Sequence, residues 1–195
     1  MEPIFAMEVP IVILLSALII NEYLSPVQII LIITLLIGVF LISNKSLKNL
    51  LHIRWEKGVL YALITMLGMG FVNFLFGIGA RAVNPLFLNW FTDVFLLLAC
   101  TFFITIRSEW HKVRNDWKNS KKLIFGVSVS DKVAWIAYST STLFIPIGLA
   151  IGITESYIAL AAVLGLIFNK EKLVQHQYLG LFICITSVII LSFLN

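Results

Sequence analysis

The sequence predicts an all-α polytopic membrane helix bundle of seven transmembrane helices, and three observations predict it. Composition is the first: 60% of the residues are hydrophobic and 12% charged, with a mean hydropathy of +1.00. A soluble domain carries about 45–50% and 25%. The second is arrangement. The apolar residues fall into seven runs, roughly 3–20, 26–43, 58–80, 85–106, 123–143, 147–168 and 178–194, each near the ~17–25 residues that cross a bilayer core as a helix. The third is that charge collects in the joints between them, "NEYLS", "NKSLKNLLHIRWEK", "RAVN", "RSEWHKVRNDWKNSKK" and "NKEKLVQHQ".

The elements follow in order. Run 3–20 contains Glu8, and no cation precedes Lys45, so it is not a secretory signal; it reads as the interior of a helix that begins abruptly at Met1. Run 26–43 follows after one short joint. Run 58–80 is thinned by Gly68, Gly70, Gly77 and Gly79, which permit close packing or bending. Run 85–106 is apolar around Asp93. Run 123–143 is the least apolar, with Ser130, Asp131 and Lys132 inside it, and a start near Val129 with an end near Leu149 is the alternative boundary. A turn at 144–146 leads into run 147–168, where Gly148, Gly152 and Ser156 recur every four residues. Such a small-residue stripe lets a second helix approach closely. Run 178–194 closes the chain.

Several function classes fall away. Cys100 and Cys184 lie deep in separate apolar runs and read as packing residues; His52, His111 and His176 all lie in joints. No metal site, no cofactor and no intramembrane base is expected, and neither a protease constellation nor a phosphate-binding loop is present, so the chain does not read as an enzyme. The net charge of +4 is no nucleic-acid signature, because 12 of the 14 Lys and Arg sit in three joints on one side of the membrane. Positive residues favour the cytoplasm, which puts Asn195 outside. Trp55, Trp110 and Trp117 read as interface anchors.

Charges inside a spanning helix are expensive and mark function or interhelical bonding. At 1.5 Å per residue Asp93 lies about 10 Å and Glu155 about 12 Å from one surface, and Lys132 about 14 Å from the other. The expected solute-binding pocket comprises Asp93, Lys132 and Glu155 as charges, Asn73 as an amide, and Trp135, Tyr138 and Tyr157 as aromatic walls. The structural alternative leaves Lys132 among headgroups and the two acids bonding neighbouring helices. Glu155 is the expected partner of Lys132, since runs joined by a short turn are antiparallel neighbours.

One spacing ties the runs together. "NEYL" at 21–24 and "KEKL" at 170–173 place Glu22 and Glu171 149 residues apart, and at that offset Leu24/Leu173 and Gln28/Gln177 also coincide. Five crossings separate the two joints, so the repeat is inverted, a construction seen in many secondary transporters. "LLSALIINEYLSPVQIILIITLLIGVFLIS" and "LAAVLGLIFNKEKLVQHQYLGLFICITSVIILS" both resemble the closing helix pair of the EamA repeat of the drug/metabolite transporter superfamily: Glu, then Leu two residues on, Gln early in the next helix, and glycines about nine and sixteen residues after the Glu. One copy keeps Gly180, the other Gly38; Ser187 and Leu31 stand at the remaining positions. The resemblance implies a transporter of small metabolites in the cell membrane with two five-helix halves and a cytoplasmic C-terminus. Residues 1–44 would be the end of the first repeat, 45–57 a basic linker and 58–195 the second repeat. It also implies three helices before Met1, so the expected partners besides lipid and solute are those helices or a second copy of the chain, and 1–195 alone is expected to insert without transporting, with an accessory membrane subunit as the alternative role.

Overall fold

A computed structural model describes residues 6–44 and 57–194; the basic joint with His52 and Trp55 lies outside them. Among the described residues all regular structure is helical: α1 (Glu8–Ile19), α2 (Pro26–Ser43), α3 (Lys57–Ala82), α4 (Pro85–Ile106), α5 (Trp110–Ser141), α6 (Ile147–Thr154), α7 (Tyr157–Phe168) and α8 (Gln175–Phe193). Five stretches are long and apolar enough to cross a membrane: α2, Gly58–Ala82 of α3, α4, the combined Ile147–Phe168, and α8.

Three runs differ from the sequence reading. α1 has 12 residues, about 18 Å of helix against a core of about 30 Å. α5 has 32 residues and bends at Ser120 (φ −134°, ψ 22°); it is not among the five apolar stretches, because Ser130, Asp131 and Lys132 interrupt its apolar part. Run 147–168 is two helices. At Glu155 and Ser156 the backbone tightens, so that the Ser156 and Ala159 N–H groups donate to carbonyls three residues back, those of Ile153 and Ser156, a 3₁₀-like turn of the kind that marks hinges.

The chain forms two compact units, Met1–Leu75 with Ile145–Asn195, and Phe76–Phe144. In the first unit the spacing of 149 is realised atom by atom. The N–H groups of Ile20 and Glu22 both donate to the Ser16 carbonyl (3.2 and 3.1 Å), and those of Asn169 and Glu171 both donate to the Gly165 carbonyl (3.1 and 3.2 Å). Between them Asn21 (φ 55°) and Lys170 (φ 52°) take the left-handed conformation that ends a helix by turning its last N–H groups onto orphan carbonyls. The glutamines then start the next helices. Gln28 Oε1 accepts from the Ser25 N–H (2.9 Å) and Gln177 Oε1 from the Val174 N–H (3.0 Å), each reaching back one turn to satisfy a helix-start donor. The glutamates differ in role: Glu22 Oε2 accepts from the Ile147 N–H at the start of α6 (2.9 Å), whereas Glu171 accepts from the Asn169 side chain (3.3 Å).

α2 and α8 pack antiparallel along this repeat. Cys184 Sγ donates to the Leu35 carbonyl (3.4 Å), Gln177 Nε2 donates to the Ile42 carbonyl (2.7 Å), and His176 Nε2 lies 2.7 Å from the Asn44 carbonyl. Leu35 and Cys184 are themselves 149 residues apart, so a local twofold axis runs beside them and the two helices are an inverted pair. Gly38 and Gly180 allow the approach: a Cβ on Gly180 would stand 2.7 Å from the Gly38 carbonyl oxygen, and one on Gly38 2.9 Å from that of Gly180. Gly70 meets Ile11, Gly148 meets Ile13 and Gly152 meets Ile32, which joins α1, α2, α3 and α6. In the second unit Asn84 caps α4 by accepting from the Leu86 N–H (2.9 Å), and Arg81 Nε donates to the Thr142 carbonyl at the end of α5 (2.6 Å).

Gly180→Ala should therefore cost about 1–3 kcal/mol by overpacking and lower the Tm in detergent. Gly68→Ala, where no atom lies within 4 Å, should be neutral or slightly stabilising. Equal melting of the two variants would contradict a backbone contact between α2 and α8.

Candidate functional site

Each compact unit holds one polar cluster. In the first, α1 brings Glu8 against α3, where Asn73 Nδ2 donates to Glu8 Oε1 (2.8 Å). Glu155, at the tightened turn between α6 and α7, lies within electrostatic reach of Glu8. All three are buried. Two carboxylates and an amide thus share an interior from which α1 and α6, closely packed through Gly148 and Ile13, exclude bulk solvent. Tyr157 is half exposed and lines a cleft of about 530 Å³ together with Ser43, Glu171, Lys172 and Gln177.

The second cluster lies between α4 and α5. Lys132 Nζ forms an ion pair with Asp93 Oδ1 (2.5 Å), and the two side chains keep 35% and 45% of their surface exposed. One turn along α4, Asn89 Nδ2 donates to Ser139 Oγ (2.9 Å) and to the Pro85 carbonyl (2.8 Å). Ser139 in turn donates to the Trp135 carbonyl (2.8 Å). Asn89 and Ser139 are almost fully buried, and Asn89 Oδ1 has no partner among the described residues. A buried acceptor left in that state is costly, so this position favours a donor. Phe76, Trp135 and Tyr138 form an edge-on aromatic ladder beside it, with ring centroids 4.9 and 6.0 Å apart.

The residues expected to form one pocket come from both units. Asp93, Lys132, Trp135 and Tyr138 belong to the second unit; Asn73, Glu155 and Tyr157 belong to the first. The partner of Lys132 is Asp93, not Glu155. The short turn after α5 does not decide the matter, because a lysine finds the acid at its own depth: α4 and α5 run antiparallel, and the Asn89–Ser139 bond sets the register that brings Asp93 to Lys132. Glu8, Asn89 and Ser139 are additions to the expected set. Glu8 carried a readable signal, a carboxylate inside an apolar run, and so did Asn89, four residues before Asp93 on the same helix face. Among the described residues no group of three or more His, Cys, Asp or Glu forms a metal site.

Comparison with family models matches residues 56–193 to the EamA-like transporter family. The chain belongs to this family. It is a multi-pass membrane protein of a transporter family of the drug/metabolite type, and the EamA model covers α3 to α8. A search of the curated proteins and one of the solved structures returned no match. Within the matched residues, the cap that Gln177 places on the start of α8 gives that glutamine its structural role.

Lys132→Met should strand Asp93 on the spanning helix α4 and destabilise the protein by about 1–3 kcal/mol, a range set by a half-exposed pair with one member in a spanning segment. Asp93→Asn in the same chain should recover most of that loss. Glu155→Gln combined with Lys132→Met should be additive. A thermal-denaturation double-mutant cycle reads both couplings, and a coupling of Lys132 to Glu155 larger than to Asp93 would overturn the assignment.

Proposed function

We propose that this chain moves a small polar metabolite across the cell membrane by alternating access, with Asp93 and Lys132 as the groups that exchange partners with the solute. The observation that carries the reading is the ion pair itself. It joins the spanning helix α4 to the second part of α5, and both side chains retain a third or more of their surface. A sealed structural pair would be buried; a pair open on one side can be parted by a solute that carries a carboxylate, an ammonium or both. Trp135 and Tyr138 supply a wall beside it, and the unpartnered Asn89 Oδ1 supplies an acceptor for a solute N–H or O–H. Within the first unit Asn73, Glu155 and Tyr157 are proposed as further solute-binding residues, with Glu8 bonded to Asn73. The tightened turn at Glu155 and Ser156 gives that helix a place to flex.

Reconstitution tests this. In sealed vesicles the protein, reconstituted with a second copy or a partner membrane chain, should redistribute a labelled amino acid or related metabolite without altering it chemically, whereas the 195-residue chain alone should insert without transporting. The double variant D93N/K132M should keep its Tm but lose about tenfold or more of the flux, as expected for removal of charged hydrogen-bonding contacts. Unchanged flux in that variant would remove the pair from the pathway. Equal flux from the partner membrane chain when this chain is left out would assign it an accessory role instead.

A further inference from the structure

We propose that residues 110–119, the first part of α5, form an interfacial helix that binds the anionic phospholipid headgroups of one leaflet. The charge distribution comes first. Residues 107–122 hold six Lys or Arg against two acids, a net +4 that equals the net charge of the whole chain. The apolar residues of this segment, Trp110, Val113 and Trp117, recur at i, i+3 and i+7, which places them on one helix face. All three are exposed, at 50%, 42% and 54%. Exposed tryptophans with flanking cations are the composition of helices that lie in the headgroup region, apolar face toward the acyl chains and cations toward phosphate.

The structure supplies the placement. α4 ends at Ile106, and the chain turns sharply through Ser108, whose φ is 52°. Arg107 stacks on the Phe103 ring at 4.5 Å, and Trp110 Nε1 donates to Thr105 Oγ1 at 3.2 Å. These contacts hold the start of α5 against the end of a membrane-spanning helix, the place where a bilayer's headgroups meet such a helix. Ser120, the one residue inside α5 with non-helical angles, then separates residues 110–119 from the part of α5 that carries Lys132. Glu109 is engaged by Lys112 at 2.6 Å, which leaves Arg114, Lys118, Lys121 and Lys122 for other anions. Arg114 and Lys118 lie next to the tryptophan stripe, where long side chains can snorkel to phosphates. A nucleic acid or an acidic protein would satisfy the cations but leave two tryptophans in water; an anionic bilayer satisfies both.

The full chain, with Cys100 and Cys184 replaced by Ala, can carry a spin label or fluorophore at Val113→Cys, or at Asn115→Cys on the opposite face. In lipid discs containing phosphatidylglycerol the label at 113 should be shielded from an aqueous quencher and the label at 115 should not. That shielding should fall about tenfold in pure phosphatidylcholine discs, at about 1 M salt, or in the variant R114Q/K118Q/K121Q/K122Q, as expected for loss of several near-surface charges. Circular dichroism of that variant should be unchanged, which excludes unfolding as the cause. Equal shielding in neutral and anionic discs would make the helix an uncharged anchor and overturn the proposal, as would a label at 113 as open to quencher as the label at 115 in the anionic discs.

Discussion

Two glycines in contact set the position of almost everything else in the first compact unit. In lipid no hydrophobic force draws one apolar helix to another, so association rests on close packing and on hydrogen bonds between helices. Gly38 and Gly180 remove the two side chains that would keep α2 and α8 apart. Once the backbones touch, Cys184 reaches the Leu35 carbonyl and Gln177 reaches that of Ile42. Further small-residue contacts carry the order outward: Ile32 seats on Gly152 of α6, Ile13 on Gly148, and Ile11 on Gly70 of α3. The buried Glu8, Asn73 and Glu155 lie at the end of that series. Their juxtaposition is a product of packing as much as of their own chemistry.

Much of this was legible in the sequence because it is local. The Glu, Leu and Gln of the repeated joint describe a left-handed helix end followed by a capped helix start, both built from bonds spanning a few residues, so the offset of 149 between residues became an offset of 149 between hydrogen bonds. The retained glycines, one per copy, were legible as packing residues. That each lies opposite the other was not, since it follows from the antiparallel crossing. The partner of Lys132 was misjudged for a related reason. Chain connectivity shows which helices adjoin, but the depth at which side chains meet is set by register, here fixed by Asn89 and Ser139. The break at Glu155 carried no glycine or proline to announce it. Glu8 was visible as a charge in an apolar run, yet its position near the start of the chain hid its role.

The charged groups of the chain divide into two kinds. Those in the joints bond backbone groups or near neighbours: Lys112 pairs with Glu109, Glu22 accepts from the N–H that starts α6, and Arg81 donates to a carbonyl at the end of α5. Those within the helical runs meet groups from elsewhere in the sequence: Asp93 with Lys132, and Glu8 with Asn73. Low dielectric surroundings magnify both the attraction within such a pair and the penalty for parting it. Under the proposed function, a solute that replaces one member must therefore offer a comparable interaction. This links the stability of the helix bundle to the chemical character of what the EamA fold can accept.

The self-contained joints have a consequence for how the protein is made. A hairpin whose turn and cap close upon themselves can form as soon as its two helices leave the ribosome, without waiting for partners far along the chain. Its bonds are also indifferent to which compartment the turn enters, because backbone carbonyls and a neutral glutamine experience no preference between cytosol and exterior. Orientation is then expected to follow charge, which the positive-inside rule reads from the joints rich in Lys and Arg, the densest of them between α4 and α5.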